Sequence, residues 1–71
     1  MTKEINLDFV KKKRKELRYT NAEMAKALGL SSPDKYYRRE NGEYSFKVTE
    51  LPALSEKLKE PMENFFKEKQ K

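Results

Sequence analysis

The 71-residue sequence predicts an all-α fold of five short helices. Three observations lead there. Apolar residues recur at helical spacing within short segments, both glycines directly follow such a segment, and prolines or capping residues open others. Hydrophobic residues make up only 35% of the chain and charged residues 41%, yet the apolar clusters suffice for one thin core.

The first helix is expected from about Leu7 to Arg18. Val10 and Leu17 stand two turns apart and share a face, Phe9 is the third apolar residue of the segment, and Asn6 or Asp8 serves near the N-cap. A second helix opens at Thr20, where Thr20-Asn21-Ala22-Glu23 fits a capping box. Met24, Ala25 and Leu28 form its buried stripe, and Gly29 supplies the left-handed residue that ends it. The third helix follows almost at once: Ser31 or Ser32 caps it, Pro33 takes the first helical position and Asp34 complements the dipole. It continues through Glu40 and ends at Asn41-Gly42, with Tyr36 plugging the core. After a loop with Phe46 packed beneath it, Thr49 is the expected cap of a fourth helix carrying Pro52 in its first turn and Leu51, Leu54 and Leu58 at helical spacing. A fifth short helix is expected from Pro61, with Met62, Phe65 and Phe66 inward. The helices then make one domain over residues 1–66, with the glycine-joined pair at about 20–41, and residues 67–71 form a frayed basic tail.

Composition narrows the functional classes. With no cysteine and no histidine, the chain lacks a disulfide framework, a thiolate metal site and the commonest general base, so no metal, no cofactor and no enzyme activity are expected. No apolar run approaches the ~18 residues of a membrane span, and Met1–Asn6 is followed by no signal-peptide core, so a cytoplasmic protein is expected. The net charge of +5 suits a polyanionic partner without requiring one. Lys11, Lys12 and Lys15 read as a solvated helix face.

Two short helices joined at a glycine, the second capped by serine, make a helix-turn-helix pattern, and one helix of this kind fits the major groove of DNA. The stretch from Arg14 to Ser31, with Thr20-x-x-Glu23-Met24-Ala25 and Leu28-Gly29-Leu30-Ser31, and then Glu40-Asn41-Gly42, resembles the Cro/phage-repressor helix-turn-helix family of the xenobiotic-response-element type. The resemblance covers about residues 7–66. The variant Leu28-Gly29-Leu30-Ser31-Ser32-Pro33 with Tyr36-Tyr37 is similar to small phage and mobile-element regulators of Gram-positive bacteria. The resemblance implies a five-helix lambda-repressor-like domain and a transcriptional regulator that occupies a double-stranded operator. It places Asn21 as a phosphate clamp at the start of helix 2, and Ser32, Pro33, Asp34, Lys35 and Arg38 toward the groove. Arg38 is the best base reader, since arginine can donate two hydrogen bonds to guanine. Lys13, Lys35 and the backbone of Asn41-Gly42 are candidate phosphate contacts, and Arg14 with Glu40 matches a structural pair tying helix 1 to the end of helix 3. Dimers are usual in the family, which makes a homodimer an expectation.

Some positions depart from the family pattern. Arg18 stands where glycine is usual, Arg39 where an apolar residue is usual and Glu43 where a basic residue is frequent, and Ser31-Ser32 lengthens the turn by one residue. Asp34 reads first as a residue favouring the helix dipole and second as a base reader. Tyr37 is open between DNA contact, partner contact and a flat surface position, and Arg39 is expected to lay its stem over the core edge with its head in water. Asp34 and Glu43 on the DNA-facing side motivate a second function: an anti-repressor or co-repressor that binds a partner repressor protein.

Overall fold

The computed structural model describes residues 3–68 and contains four α-helices, two 3₁₀ turns and a two-stranded antiparallel sheet. The elements in chain order are β1 (Lys3–Ile5), α1 (Leu7–Glu16), α2 (Asn21–Leu28), α3 (Pro33–Glu40), a 3₁₀ turn (Val48–Glu50), α4 (Leu51–Leu58), a second 3₁₀ turn (Met62–Phe65) and β2 (Phe66–Glu68). Helices dominate, and none among the described residues is long and apolar enough to cross a membrane.

The helix starts follow from side-chain capping. Asn6 caps α1, its Oδ1 accepting from the Phe9 N–H at 3.1 Å. Thr20 and Glu23 close a reciprocal capping box on α2: Thr20 Oγ1 accepts from the Glu23 N–H at 3.1 Å, and the Glu23 carboxylate accepts from the Thr20 N–H at 2.8 Å. That backbone bond, with help from the Thr20 hydroxyl, holds the Glu23 carboxyl below its ordinary range. Gly29, at φ 76°, ends α2 in the left-handed region, and Leu30 N–H then reaches back to the Ala25 carbonyl at 2.8 Å. Ser32 is the N-cap residue of α3 by position, with extended backbone and no side-chain cap bond, and Pro33 begins the helix.

Val10, Met24, Ala25, Tyr36, Leu54, Leu58 and Phe65 form the buried core, so every α-helix contributes. Phe9 packs edge-on against Phe65 with ring centroids 5.5 Å apart, and Tyr36 does the same against Phe46 at 6.1 Å. Gly42, at φ 85°, ends α3 close to α1; a Cβ there would come within 3.3 Å of Leu7 Cδ1.

Three expectations need correction. The helix expected from Pro61 is a 3₁₀ turn followed by β2, with Phe65 buried, Phe66 half-buried and Met62 exposed. The reason is competition for backbone groups. The Phe65 carbonyl accepts from the Asn6 N–H at 2.7 Å, and the following residues pair with β1 in the register Ile5↔Phe66, Glu4↔Lys67 and Lys3↔Glu68. Lys67 and Glu68, expected to fray, therefore belong to a strand; residues 69–71 lie outside the described residues. The third concerns the fourth helix. Thr49 does not cap it but lies inside the preceding 3₁₀ turn, where Glu50 accepts from the Lys47 N–H at 3.0 Å.

Helix α1 stops at Glu16, two residues early, and the cause is unusual. Arg18 takes φ 61° while the Tyr19 N–H closes back on the Arg14 carbonyl at 3.0 Å. Lys59 does the same after α4, at φ 58°, with the Glu60 N–H bonded to the Ser55 carbonyl. Both are glycine positions held by basic residues, and the left-handed backbone costs a side chain about 1–2 kcal/mol. Arg18→Gly is accordingly expected to stabilise the fold by about 0.5–1 kcal/mol, the entropy of an unfolded glycine offsetting part of the relief. Urea unfolding would measure this, and a loss of stability would refute the strain at Arg18.

Candidate nucleic-acid interface

Helix α3 packs on α2 across the four-residue turn Gly29–Ser32 and is anchored by its inner side chains. Tyr36, Arg39 and Glu40 face inward and are buried. Arg14 grips Glu40 with two parallel bonds, Nε to Oε2 at 2.8 Å and Nη2 to Oε1 at 3.0 Å, and donates a third through Nη1 to the Tyr19 carbonyl at 3.1 Å. The Tyr36 hydroxyl donates to Glu40 Oε2 at 2.7 Å. The Glu40 contact raises the Arg14 pKa, and burial first, the Glu40 bond second, pushes the Tyr36 phenol far up, so the guanidinium and the phenol both keep their protons.

Arg39 corrects the expectation of a solvated head group. Its guanidinium is buried, with Nε donating to Glu50 Oε1 at 2.9 Å and Nη1 to the Lys35 carbonyl at 3.0 Å. The same Glu50 oxygen accepts from the Lys47 N–H. Arg39 therefore ties the loop after α3 back onto α3 itself, and Glu50, which the sequence offered no reason to single out, completes the tie.

The opposite side of α3 is open. Pro33, Asp34, Lys35 and Tyr37 are exposed, Ser32 and Arg38 half-exposed, and a shallow polar depression runs between Ser32, Asp34, Lys35, Arg38 and Tyr44. Arg38 does not point freely outward. Its Nε donates to Asp34 Oδ2 at 2.7 Å, its Nη1 donates to Glu43 Oε1 at 3.2 Å, and its guanidinium carbon lies 5.9 Å from the centre of the Tyr44 ring. The Asp34 bond is the foremost cause of the raised Arg38 pKa, with Glu43 contributing. Asp34 and Glu43 thus balance Lys35 and Arg38, and this face is locally neutral on a basic chain. The Asp34–Arg38 spacing of four was readable as a helical ion pair; Glu43 and Tyr44 reach Arg38 only because the chain reverses at Gly42, which places the Glu43 N–H 2.9 Å from the Arg38 carbonyl.

The remaining candidates separate. Asn21 is the first residue of α2 and half-buried, and its Oδ1 is buried without a hydrogen-bond partner among the described residues. Lys13 takes part in ion pairs within the fold: its ammonium lies 3.1 Å from Glu60 and 3.4 Å from Glu16, tying α1 to the turn after α4. The Glu60 bond raises its pKa, and Glu60 is held low by Asn64 first and Lys13 next. The backbone of Asn41-Gly42 is likewise spent, because the Asn41 N–H donates to the Tyr37 carbonyl and the Gly42 N–H to that of Arg39, which closes the end of α3.

A helix braced by its predecessor across a glycine turn, inner side locked and outer side free, defines a helix-turn-helix protein. The chain belongs to the Cro/C1-type helix-turn-helix family, whose model, described as helix-turn-helix, matches residues 10–65. This is a family of DNA-binding transcription regulators and not a catalytic one. No curated protein and no solved structure matches the chain.

The buried Arg39–Glu50 pair predicts strong coupling. Arg39→Met alone strands a buried carboxylate and should cost about 3 kcal/mol. Combining it with Glu50→Leu should return most of that loss, short of the bond to the Lys47 N–H. Denaturant unfolding of the two singles and the double would decide it; a double variant that loses the sum of the singles would contradict the coupling.

Proposed function

We propose that the chain is a sequence-specific regulator of the Cro-like kind that docks the outer side of α3 in the major groove of a double-stranded operator. The observation that carries this reading is the two-sidedness of α3. Its inner residues are committed to Arg14, Glu50 and the core, while Ser32, Pro33, Asp34, Lys35, Tyr37 and Arg38 remain at the surface on a helix roughly 12 Å long, about the width of the groove. In this reading Arg38 addresses guanine, Lys35 a phosphate, and Asn21 donates from its amide NH₂ to a phosphate oxygen beside the positive end of α2. Occupying a promoter would repress or modulate its use, and the motif from Leu28 to Pro33 supports a phage or mobile-element setting. Two-fold operators would be met by a homodimer.

One observation favours a second reading, an anti-repressor or co-repressor that binds a partner repressor. The neutral charge balance at Asp34, Lys35, Arg38 and Glu43, beside the exposed rings of Tyr37 and Tyr44, has the tyrosine and arginine content typical of protein interfaces.

The first reading predicts a shift of duplex DNA carrying the protein's own control region. Arg38→Ala should cost about 1–3 kcal/mol at one base position, whereas Lys35→Ala should weaken all sequences alike and reduce the salt slope by about 1. An absence of binding in low salt at tens of micromolar protein, on the order of the affinity such modules show for any DNA, would refute it; a stable complex with the repressor alone would favour the second reading.

A further inference from the structure

The Arg38 clamp has a chemical logic that the DNA-binding reading leaves unused. Asp34 stands one turn before Arg38 on the same helix, so its 2.7 Å bond to Nε fixes the plane of the guanidinium from within α3. Glu43 comes from outside the helix, beyond the Gly42 reversal, and its contact with Nη1 is longer at 3.2 Å. Neither bond uses Nη2. A guanine edge needs two donors from one side of the guanidinium. Each Nη carries two hydrogens and Glu43 engages one on Nη1; losing its contact would leave the Nη1–Nη2 end of the guanidinium clear of the carboxylate while Asp34 still held the plane through Nε. Glu43 is therefore the exchangeable half of the clamp.

We infer that Glu43 is a specificity-determining residue: it holds a carboxylate against Nη1 of Arg38 until a base edge replaces it, and so weakens docking on DNA that offers Arg38 no such edge. The inference rests on the DNA-binding reading above. On a mismatched duplex, the protein either keeps the clamp and brings the Glu43 carboxylate toward the phosphates, or breaks it without regaining a bidentate partner. Both are unfavourable. On a matched duplex, the guanine acceptors replace the lost carboxylate. The device acts by a repulsive and a competing element together, so removing it should tighten binding to DNA in general and blunt discrimination. Tyr44, 5.9 Å from the guanidinium carbon, marks where that group rests when Glu43 holds it.

The test compares Glu43→Gln, Arg38→Gln and their combination with the unmodified chain, using Glu63→Gln as a control that removes one exposed negative charge far along the sequence. The probes are poly(dA-dT), whose major groove lacks the paired N7 and O6 acceptors of guanine, and the 20-base-pair duplex that the unmodified protein itself retains from a random library. Fluorescence anisotropy is read on both at several salt concentrations. Glu43→Gln is expected to tighten poly(dA-dT) binding about fivefold and the retained duplex less than about twofold, while Glu63→Gln changes both by less than about twofold. In the Arg38→Gln background, Glu43→Gln should lose most of its effect. Equal tightening on both probes, or an undiminished effect in the absence of Arg38, would overturn the inference while leaving the DNA-binding reading intact. An unmodified protein that retains no duplex and does not bind poly(dA-dT) would overturn both.

Discussion

The bidentate contact between Arg14 and Glu40 sets the position of α3, and through it the surface that the protein presents. Glu40 is the last residue of α3 and its side chain is almost wholly buried; Arg14 lies in the last turn of α1. A carboxylate in that place is tolerable because it receives two guanidinium donors and the Tyr36 hydroxyl. The same guanidinium reaches the Tyr19 carbonyl, just ahead of the Thr20 cap, so one side chain sets α1, the entry to α2 and the exit from α3 relative to one another. Removing either charge would leave the other buried and unpaired. In so small a domain, with seven buried hydrophobic core residues among the described ones, specific polar locks of this kind do much to define a single arrangement.

Helix α3 carries its charges in two tiers. Arg39 and Glu40 are spent inside, on Glu50 and Arg14, and bind the helix to the loop behind it and to α1. Asp34 and Arg38 lie outside and are paired with each other and with Glu43, where water and a ligand can compete. The inner tier makes the helix rigid and the outer tier makes it exchangeable. Arg38 and Arg39 are neighbours in sequence with the same chemistry, and the roughly 100° turn between successive helical residues separates their roles.

Much of this was legible in the sequence. The Thr20–Glu23 box, the Gly29 and Gly42 helix ends, Pro33 at the start of α3 and Tyr36 in the core each follow from a local rule that tertiary packing did not override. The Arg14–Glu40 pair came from the family resemblance, since residues 26 positions apart carry no periodic signal. What escaped depended on long-range pairing. β1 and β2 are three residues each and lie at opposite ends of the described chain, so neither shows a pattern of its own, and Phe65-Phe66 at the end of a helix-like segment looked like one more apolar face. The burial of Arg39 against Glu50 was invisible for the same reason: without a partner in view, an arginine at a core edge reads as solvated. The ion pair of Lys13 with Glu60, which the left-handed turn at Lys59 brings back beside α1, had no local signal either.

The proposed function requires the outer side of α3 to be the docking surface for DNA. Backbone amide shifts recorded while a duplex is titrated into the labelled protein address this directly. The predicted result is perturbation of the amides of Ser32 and of Asp34 through Arg38, together with Asn21 at the start of α2, and little change along the lysine-rich outer side of α1. Perturbation centred on Lys11, Lys12 and Lys15, with the α3 amides undisturbed, would contradict it.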